Sequence, residues 1–165
     1  MDYSRNNFKG NRKLKPASKK NFRGALKPLL TEEAKQEAQI QELSYDFACR
    51  ITRLFQYLTE DSQYKEYIIS KQIVRSGTSI GANAREAKHA QSDSDFLSKY
   101  SIAYKEADET EYWLSLLHHN GYLDDHQFES IHNDCVRILK ILTAIVKKLR
   151  IKTGQQNVSI MTHDP

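Results

Sequence analysis

Cysteine is scarce in this sequence, long apolar runs are absent, and no glycine-rich phosphate loop precedes a lysine. The two cysteines, Cys49 and Cys135, lack the spacing of a metal site or of a disulfide framework. No run approaches the ~18 apolar residues that a membrane-spanning helix needs, and Met1 is not followed by the apolar segment of a secretory signal. We therefore expect a cytoplasmic protein with reduced thiols, no membrane association and no cofactor.

Positive charge is concentrated in the first thirty residues. This segment carries nine basic side chains and one acid, a net charge of +8, whereas the rest of the chain carries 16 basic and 20 acidic side chains, a net charge of −4. The basic residues of the segment are Arg5, Lys9, Arg12, Lys13, Lys15, Lys19, Lys20, Arg23 and Lys27. A basic pI often indicates nucleic-acid binding by a folded domain, but here that interpretation applies only to the segment itself. Because it mixes Gly and Pro with polar residues and has no period, we predict a disordered basic arm over residues 1–31.

Apolar residues at helical spacing predict four helices after the arm. They run over about 32–59, 64–88, 93–120 and 124–150, with a sequence that resembles a capping box at Ser92 and a stop at Gly121. The connections are too short for a crossover, so neighbouring helices must be antiparallel. The sequence therefore predicts an all-α, antiparallel up-down-up-down four-helix bundle over 32–150, followed by a disordered tail over 151–165. Cys135 falls on the apolar stripe of the fourth helix and Cys49 falls off that of the first, so we expect no disulfide.

Two catalytic hypotheses fail on position. Glu86 and His89 resemble half of a di-iron site, and Glu129 and His132 resemble the other half. In the predicted topology, however, the two pairs lie at opposite ends of the bundle, roughly 25 Å apart. A small all-α nuclease would need four to six residues between its Arg and His, and Arg85 and His89 are separated by three. No Ser-His-Asp arrangement is indicated either, so we expect no enzyme and no metal site.

Two further features of the second helix concern packing. Gly77 and Gly81 are spaced as GxxxG, and each costs about 1 kcal/mol relative to Ala within a helix. They therefore indicate a close backbone approach, either inside one bundle or between subunits. Asn83 falls on the predicted apolar stripe at the level of Tyr100, so its amide is placed to meet that hydroxyl and to fix the register.

The third helix carries an acidic cluster that ends in the single tryptophan. Glu106, Glu109 and Trp113 lie within two turns of one another and share a face. The cluster is either a solvated face or an interface with Arg75 or Arg85 of the second helix. The candidate interface or packing residues are Arg75, Gly77, Gly81, Asn83, Arg85, Glu86, Glu106, Glu109 and Trp113.

Residues 38–150 resemble the bacterial four helix bundle protein family, which is also called the 23S rRNA intervening-sequence protein family. The strings that carry the resemblance are SGTSIGANAREA (76–87), QSDSDF (91–96), KEADETEYWLSLL (105–117), NGYL (120–123) and DCVRILKILT (134–143). The resemblance implies an antiparallel bundle, a ring-like homopentamer, and neither an assigned activity nor catalytic residues. Accessory proteins of diversity-generating retroelements are a related group of basic pentameric bundles that bind a reverse transcriptase and nucleic acid. This chain departs from them because its body is net acidic.

Apolar residues also fall off the predicted stripes, which favours self-association because one bundle is not expected to bury them all. They are Phe55, Tyr57, Tyr104, Tyr112, Leu139 and Val146. We therefore expect a non-catalytic homo-oligomeric bundle that acts as a binding or scaffold protein, with the pentamer implied by the resemblance. The alternative is a nucleic-acid-binding accessory factor, associated with a retroelement or with rRNA, that uses the basic arm on RNA or DNA, with a reverse transcriptase as another possible partner.

Overall fold

Four α-helices form the body of this protein in a computed structural model that describes residues 32–61 and 63–155. They are α1 (Glu32–Gln56), α2 (Ile69–Ala87), α3 (Asp93–His119) and α4 (Asp125–Lys152). A π-helical turn, Tyr57–Asp61, continues α1. The described residues contain no strand. The predicted arm, and the predicted tail beyond residue 155, lie outside the described residues.

Each helix packs against the next along the chain, and α4 closes the bundle by packing against α1. This arrangement confirms the predicted antiparallel four-helix bundle. The largest fully buried side chains come from all four helices and line the bundle axis. They include Phe47, Ile51, Ile73, Ile80, Tyr100, Leu114, Leu117, Ile138 and Leu142.

The start of α2 differs from the prediction, because the helix begins at Ile69 and not near residue 64. Glu66, which the sequence placed inside the helix, caps it instead. Its carboxylate accepts hydrogen bonds from the backbone N–H groups of Ile68, Ile69 and Ser70 at 2.7–2.8 Å. Lys65 adopts a φ of 48°, a left-handed conformation that a continuing helix does not allow. A helix-forming residue type is therefore used here as an N-terminal cap, because a carboxylate satisfies the free N–H groups of the first turn.

Side chains also cap the other two internal helix starts. Ser92 accepts a hydrogen bond from the Asp95 N–H at 3.1 Å, as the sequence predicted, but Asp95 accepts from the Gln91 N–H instead of closing a reciprocal box. Asp124 and Gln127 form a complete capping box at the start of α4, with distances of 2.7 and 3.0 Å. These caps fix where the short connections end, and so fix the register of the antiparallel neighbours.

Two glycines end the last two helices. Gly121 and Gly154 have φ values of 76° and 74°, which is the left-handed conformation that commonly terminates a helix. Gly121 ends α3 as predicted. The fourth helix runs to Lys152, two residues beyond its predicted end.

The α4 helix buries more of its surface than a single apolar stripe would. Leu139 and Val146 are only 3 % and 1 % exposed. The bundle by itself therefore buries these two of the six residues that fall off the predicted stripes. Because α4 packs against α3 on one side and α1 on the other, its buried arc is wide enough to include residues beside the stripe. Tyr112, in contrast, is 57 % exposed.

Candidate interaction site

The two glycines of α2 allow a close approach to α1 of the same chain. A β-carbon on Gly77 would lie 2.8 Å and 2.9 Å from the two γ-carbons of Ile51. A β-carbon on Gly81 would lie 3.3 Å from the backbone carbonyl oxygen of Ser44. Both glycines therefore pack against α1 within one bundle, as the intramolecular interpretation of the GxxxG spacing expects.

Asn83 does not make the contact expected from the sequence. Its amide donates to the carbonyl of Ser79 at 2.9 Å, one turn back on its own helix. The Tyr100 hydroxyl is hydrogen-bonded to the side chain of Gln41, and that side chain also donates to the carbonyl of Ala84. Burial raises the pKa of Tyr100 to about 12, although the Gln41 hydrogen bond opposes this. The register contact therefore comes from α1, because Ala84 and not Asn83 faces the core.

The acidic residues of α3 contact Arg75 of α2. Arg75 forms an ion pair with Glu109 and lies 3.7 Å from a carboxylate oxygen of Glu106. The indole N–H of Trp113 donates to Glu109 at 3.1 Å. The structure thus brings four of the candidate residues together, and we call them the Arg75–Trp113 cluster. Of the two cations considered from the sequence, Arg75 is the one that is used.

The two carboxyl groups of the cluster differ in their affinity for a proton. The hydrogen bond from Trp113, helped by Arg75, lowers the pKa of Glu109 in spite of its partial burial. Burial raises the pKa of Glu106, which Arg75 offsets in part and the charge of Glu109 reinforces. One oxygen of Glu106 is buried without a hydrogen-bond donor. The cluster therefore joins α2 to α3 through Glu109 and leaves Glu106 incompletely satisfied.

An exposed apolar rim borders the Arg75–Trp113 cluster. The Tyr112 ring packs edge-on against the Trp113 ring, with centroids 4.9 Å apart. Ile102 is exposed one turn before Glu106. The surface of α3 therefore combines an ion-paired centre with exposed apolar side chains, a composition that is common at protein–protein interfaces.

The remaining candidates on α2 lie apart from this cluster. Glu86 forms an ion pair with Lys99 of α3 at 2.5 Å, and this contact raises the pKa of Lys99. Arg85 is exposed, ten residues from Arg75 and so about 15 Å away along the helix axis. Seven of the nine predicted site residues thus form one cluster, one separate ion pair and one packing seam, whereas Asn83 and Arg85 belong to none of these.

Sequence reasoning missed an aromatic stack between α3 and α4. The Phe128 ring lies between His118 and His132, with centroid distances of 4.2 and 4.6 Å. Each histidine also contacts a carboxylate, since His118 lies 2.8 Å from Asp125 and His132 lies 2.9 Å from Glu111. The i, i+4 spacing of Phe128 and His132 was the available signal.

The described residues hold no grouped metal ligands and no disulfide. Within 32–61 and 63–155, no three His, Cys, Asp or Glu side chains are grouped to hold a metal ion. Cys49 and Cys135 are both free thiols, as predicted. In this part of the chain every helix is too short or too polar to span a bilayer.

A family model and a solved structure are both similar to this chain. Residues 36–144 match the sequence model of a family described as 23S rRNA-intervening sequence protein. The chain is also similar to a crystal structure of a protein of unknown function from the S23 ribosomal protein family of Bacteroides thetaiotaomicron. That similarity has 50 % sequence identity and a TM-score of 0.65, and covers 68 % of this chain and 98 % of the other. No curated protein matches the chain.

Proposed function

Because this chain belongs to the 23S rRNA-intervening sequence protein family, we propose that it is a non-catalytic, homo-oligomeric bundle that binds or scaffolds other molecules. The solved relative is itself described as a protein of unknown function. His118 and His132 are engaged in ion pairs and ring stacks that join α3 to α4, which gives these two histidines a structural role.

Exposed apolar side chains carry the proposal of self-association. The large ones among the described residues are Tyr45, Tyr64, Tyr67, Ile68, Ile102, Tyr112 and Ile151. In this topology α1 and α3 are diagonal, so Tyr45 on α1 and Tyr112 on α3 point away from each other. A ring needs two different faces on each subunit, one for each neighbour. Tyr45 on one side and Ile102 with Tyr112 on the other fit that requirement, and the resemblance implies five subunits.

Light scattering on the full chain tests this proposal. We expect a mass of five subunits at micromolar concentration. The double substitution Ile102→Glu/Tyr112→Glu should lower the mass, because it places charge on one apolar face. Gln56→Glu, at an exposed position of α1, is the control and should leave the mass unchanged. A monomer mass for the unchanged protein would refute the proposal.

The net charge of the basic arm favours a second candidate function, nucleic-acid binding through residues 1–31. The arm combines +8 with Tyr3, Phe8 and Phe22, and phosphate contacts together with ring stacking suit such a segment. Fluorescence anisotropy on a labelled RNA should show weak, salt-sensitive binding that is lost when residues 1–31 are removed. Equal binding by the intact and shortened chains would refute a role for the arm.

A further inference from the structure

The charges of α4 are sorted along its length. Residues 125–134 carry three acids and no Lys or Arg, whereas residues 135–152 carry six bases and no acid. The bases are Arg137, Lys140, Lys147, Lys148, Arg150 and Lys152. The second half of α4 is therefore strongly positive, although residues 31–165 together carry a net charge of −4.

Four of these bases form one exposed face. At about 100° per residue, Arg137, Lys140, Lys147 and Lys148 fall within an arc of roughly 100°, opposite the buried Leu142. All four are exposed. They extend along roughly 16 Å of the helix, at 1.5 Å per residue. We call these four residues the α4 basic face.

The described carboxylates of the bundle do not neutralise the cations of this face. In residues 32–61 and 63–155, no carboxylate forms an ion pair with Arg137, Lys140 or Lys147. Lys148 donates a hydrogen bond to the neutral side-chain oxygen of Gln36, at 3.3 Å. At the end of the helix, in contrast, Lys152 pairs with Asp93 at 3.0 Å. Unpaired like charges on one surface repel one another, so such a surface gains most from a bound polyanion.

The flanks of the face decide where a polyanion would lie. Exposed charges on the neighbouring helices include Lys105 and Asp108 of α3 and Glu42 and Asp46 of α1. The positive potential is therefore highest along α4 itself and falls toward both neighbours.

We propose that the α4 basic face binds the phosphate backbone of a nucleic acid, without sequence preference. Its length of roughly 16 Å matches about five successive phosphates of one strand, at 3.4 Å per phosphate. An anionic membrane fits less well, because a membrane-surface helix pairs its basic residues with large apolar ones. Over residues 137–148 the outward arc carries Ala144 between the bases, and the exposed Ile151 follows on the same arc. A single large apolar side chain at the end of the face is less than the apolar row of a membrane-surface helix. This inference goes beyond the proposed function, since it places a ligand on the folded body and requires neither the basic arm nor an oligomer.

The test compares two charge-matched double variants of the full chain. Lys140→Gln/Lys147→Gln removes two cations from the face, and Lys65→Gln/Lys71→Gln removes two exposed cations elsewhere. The probe is a fluorescein-labelled 20-base-pair DNA duplex, titrated by anisotropy between 25 and 200 mM salt. Light scattering and circular dichroism on both variants establish that fold and mass are unchanged, so that a failure of the oligomer proposal shows up separately.

The salt dependence decides the outcome. Losing two phosphate contacts should reduce the slope of log K against log salt by about 1.8, while the control keeps the slope of the unchanged protein. Equal slopes for both variants would refute the proposal, as would equal weakening by both or no binding at 25 mM salt. Phosphatidylserine vesicles are the second probe. Vesicle binding that only the α4 variant loses, without DNA binding, would assign the face to membranes and overturn the proposal.

Discussion

The γ-carbons of Ile51 occupy the space that a side chain on Gly77 would need. We expect Gly77→Ala to lower the free energy of unfolding by about 1–3 kcal/mol, because overpacking outweighs the helix propensity that Ala adds. In an Ile51→Ala background, which vacates that space, the same substitution should cost much less. Urea denaturation of the four proteins in this double-mutant cycle measures the coupling.

The exposed Ala82 provides the control for that cycle. Ala82→Gly should cost about 1 kcal/mol through helix propensity alone and show no coupling to Ile51. A higher melting temperature for Gly77→Ala would contradict the close packing of α1 and α2.

Glu66 predicts an acid-sensitive start of α2. Burial raises the pKa of Glu66, but the hydrogen bonds from Ile69, Ser70 and Ile68 lower it more, so its pKa lies below the usual value. Its stabilisation is therefore complete above the unfolded pKa of about 4.3 and is lost as the pH falls through the folded pKa. Glu66→Gln should cost about 1–2 kcal/mol at pH 7, as the loss of a helix cap does.

The pH profile separates this role from general surface charge. The difference between Glu66→Gln and the unchanged protein should shrink as the pH falls below about 4.3. Glu129→Gln, at an exposed position, should change stability little at any pH. A pH-independent cost for Glu66→Gln would indicate a steric effect and contradict the charged cap.

Neutralising Glu106 should change stability in the opposite direction to neutralising Glu66. Burial raises its pKa, so the folded state prefers the protonated form, and the charged form lowers stability at neutral pH. Glu106→Gln should therefore raise the free energy of unfolding at pH 7. This gain should disappear as the pH falls and the wild-type carboxyl becomes protonated. Denaturation of both proteins at pH 7 and pH 4 measures it, and a loss of stability at pH 7 would show that the contact with Arg75 dominates.

The two thiols should differ in reactivity. Burial raises the pKa of Cys135, and its thiol donates to the carbonyl of Ala107 at 3.4 Å. Cys49 is only partly buried. Native protein should therefore react with a thiol reagent at one cysteine, and at both in urea. The Cys49→Ser variant is the control. If this variant still reacted with the thiol reagent in its native state, Cys135 would be accessible to solvent and the prediction would be wrong.

The sequence was sufficient for the fold and insufficient for the details of side-chain pairing. Helical periodicity and short connections predict the bundle, since they depend only on local spacing and chain length. The start of α2 was misplaced because Glu66 has the composition of a helix residue and the role of a cap. Asn83 was misplaced because the buried arc of α2 continues from Ile80 four residues on to Ala84, and not three residues on to Asn83.

Contacts between helices depend on how two helices are rotated and aligned relative to each other. The apolar pattern of one helix does not contain that information. The acidic cluster of α3 was recognisable from its spacing. Its choice of Arg75 over Arg85 follows from how α2 and α3 are aligned along the bundle axis. The stack of His118, Phe128 and His132 depends in the same way on the alignment of α3 with α4.

The order of packing along the chain has a consequence for how the molecule folds. Three of the four packed helix pairs are consecutive in sequence, and only α1 with α4 joins distant segments. Such local contacts give folding times of microseconds to milliseconds. Subunit assembly takes milliseconds to minutes and depends on concentration. Refolding should therefore show a fast phase that is independent of protein concentration and forms the monomeric bundle. The folded monomer is then the species from which any ring assembles.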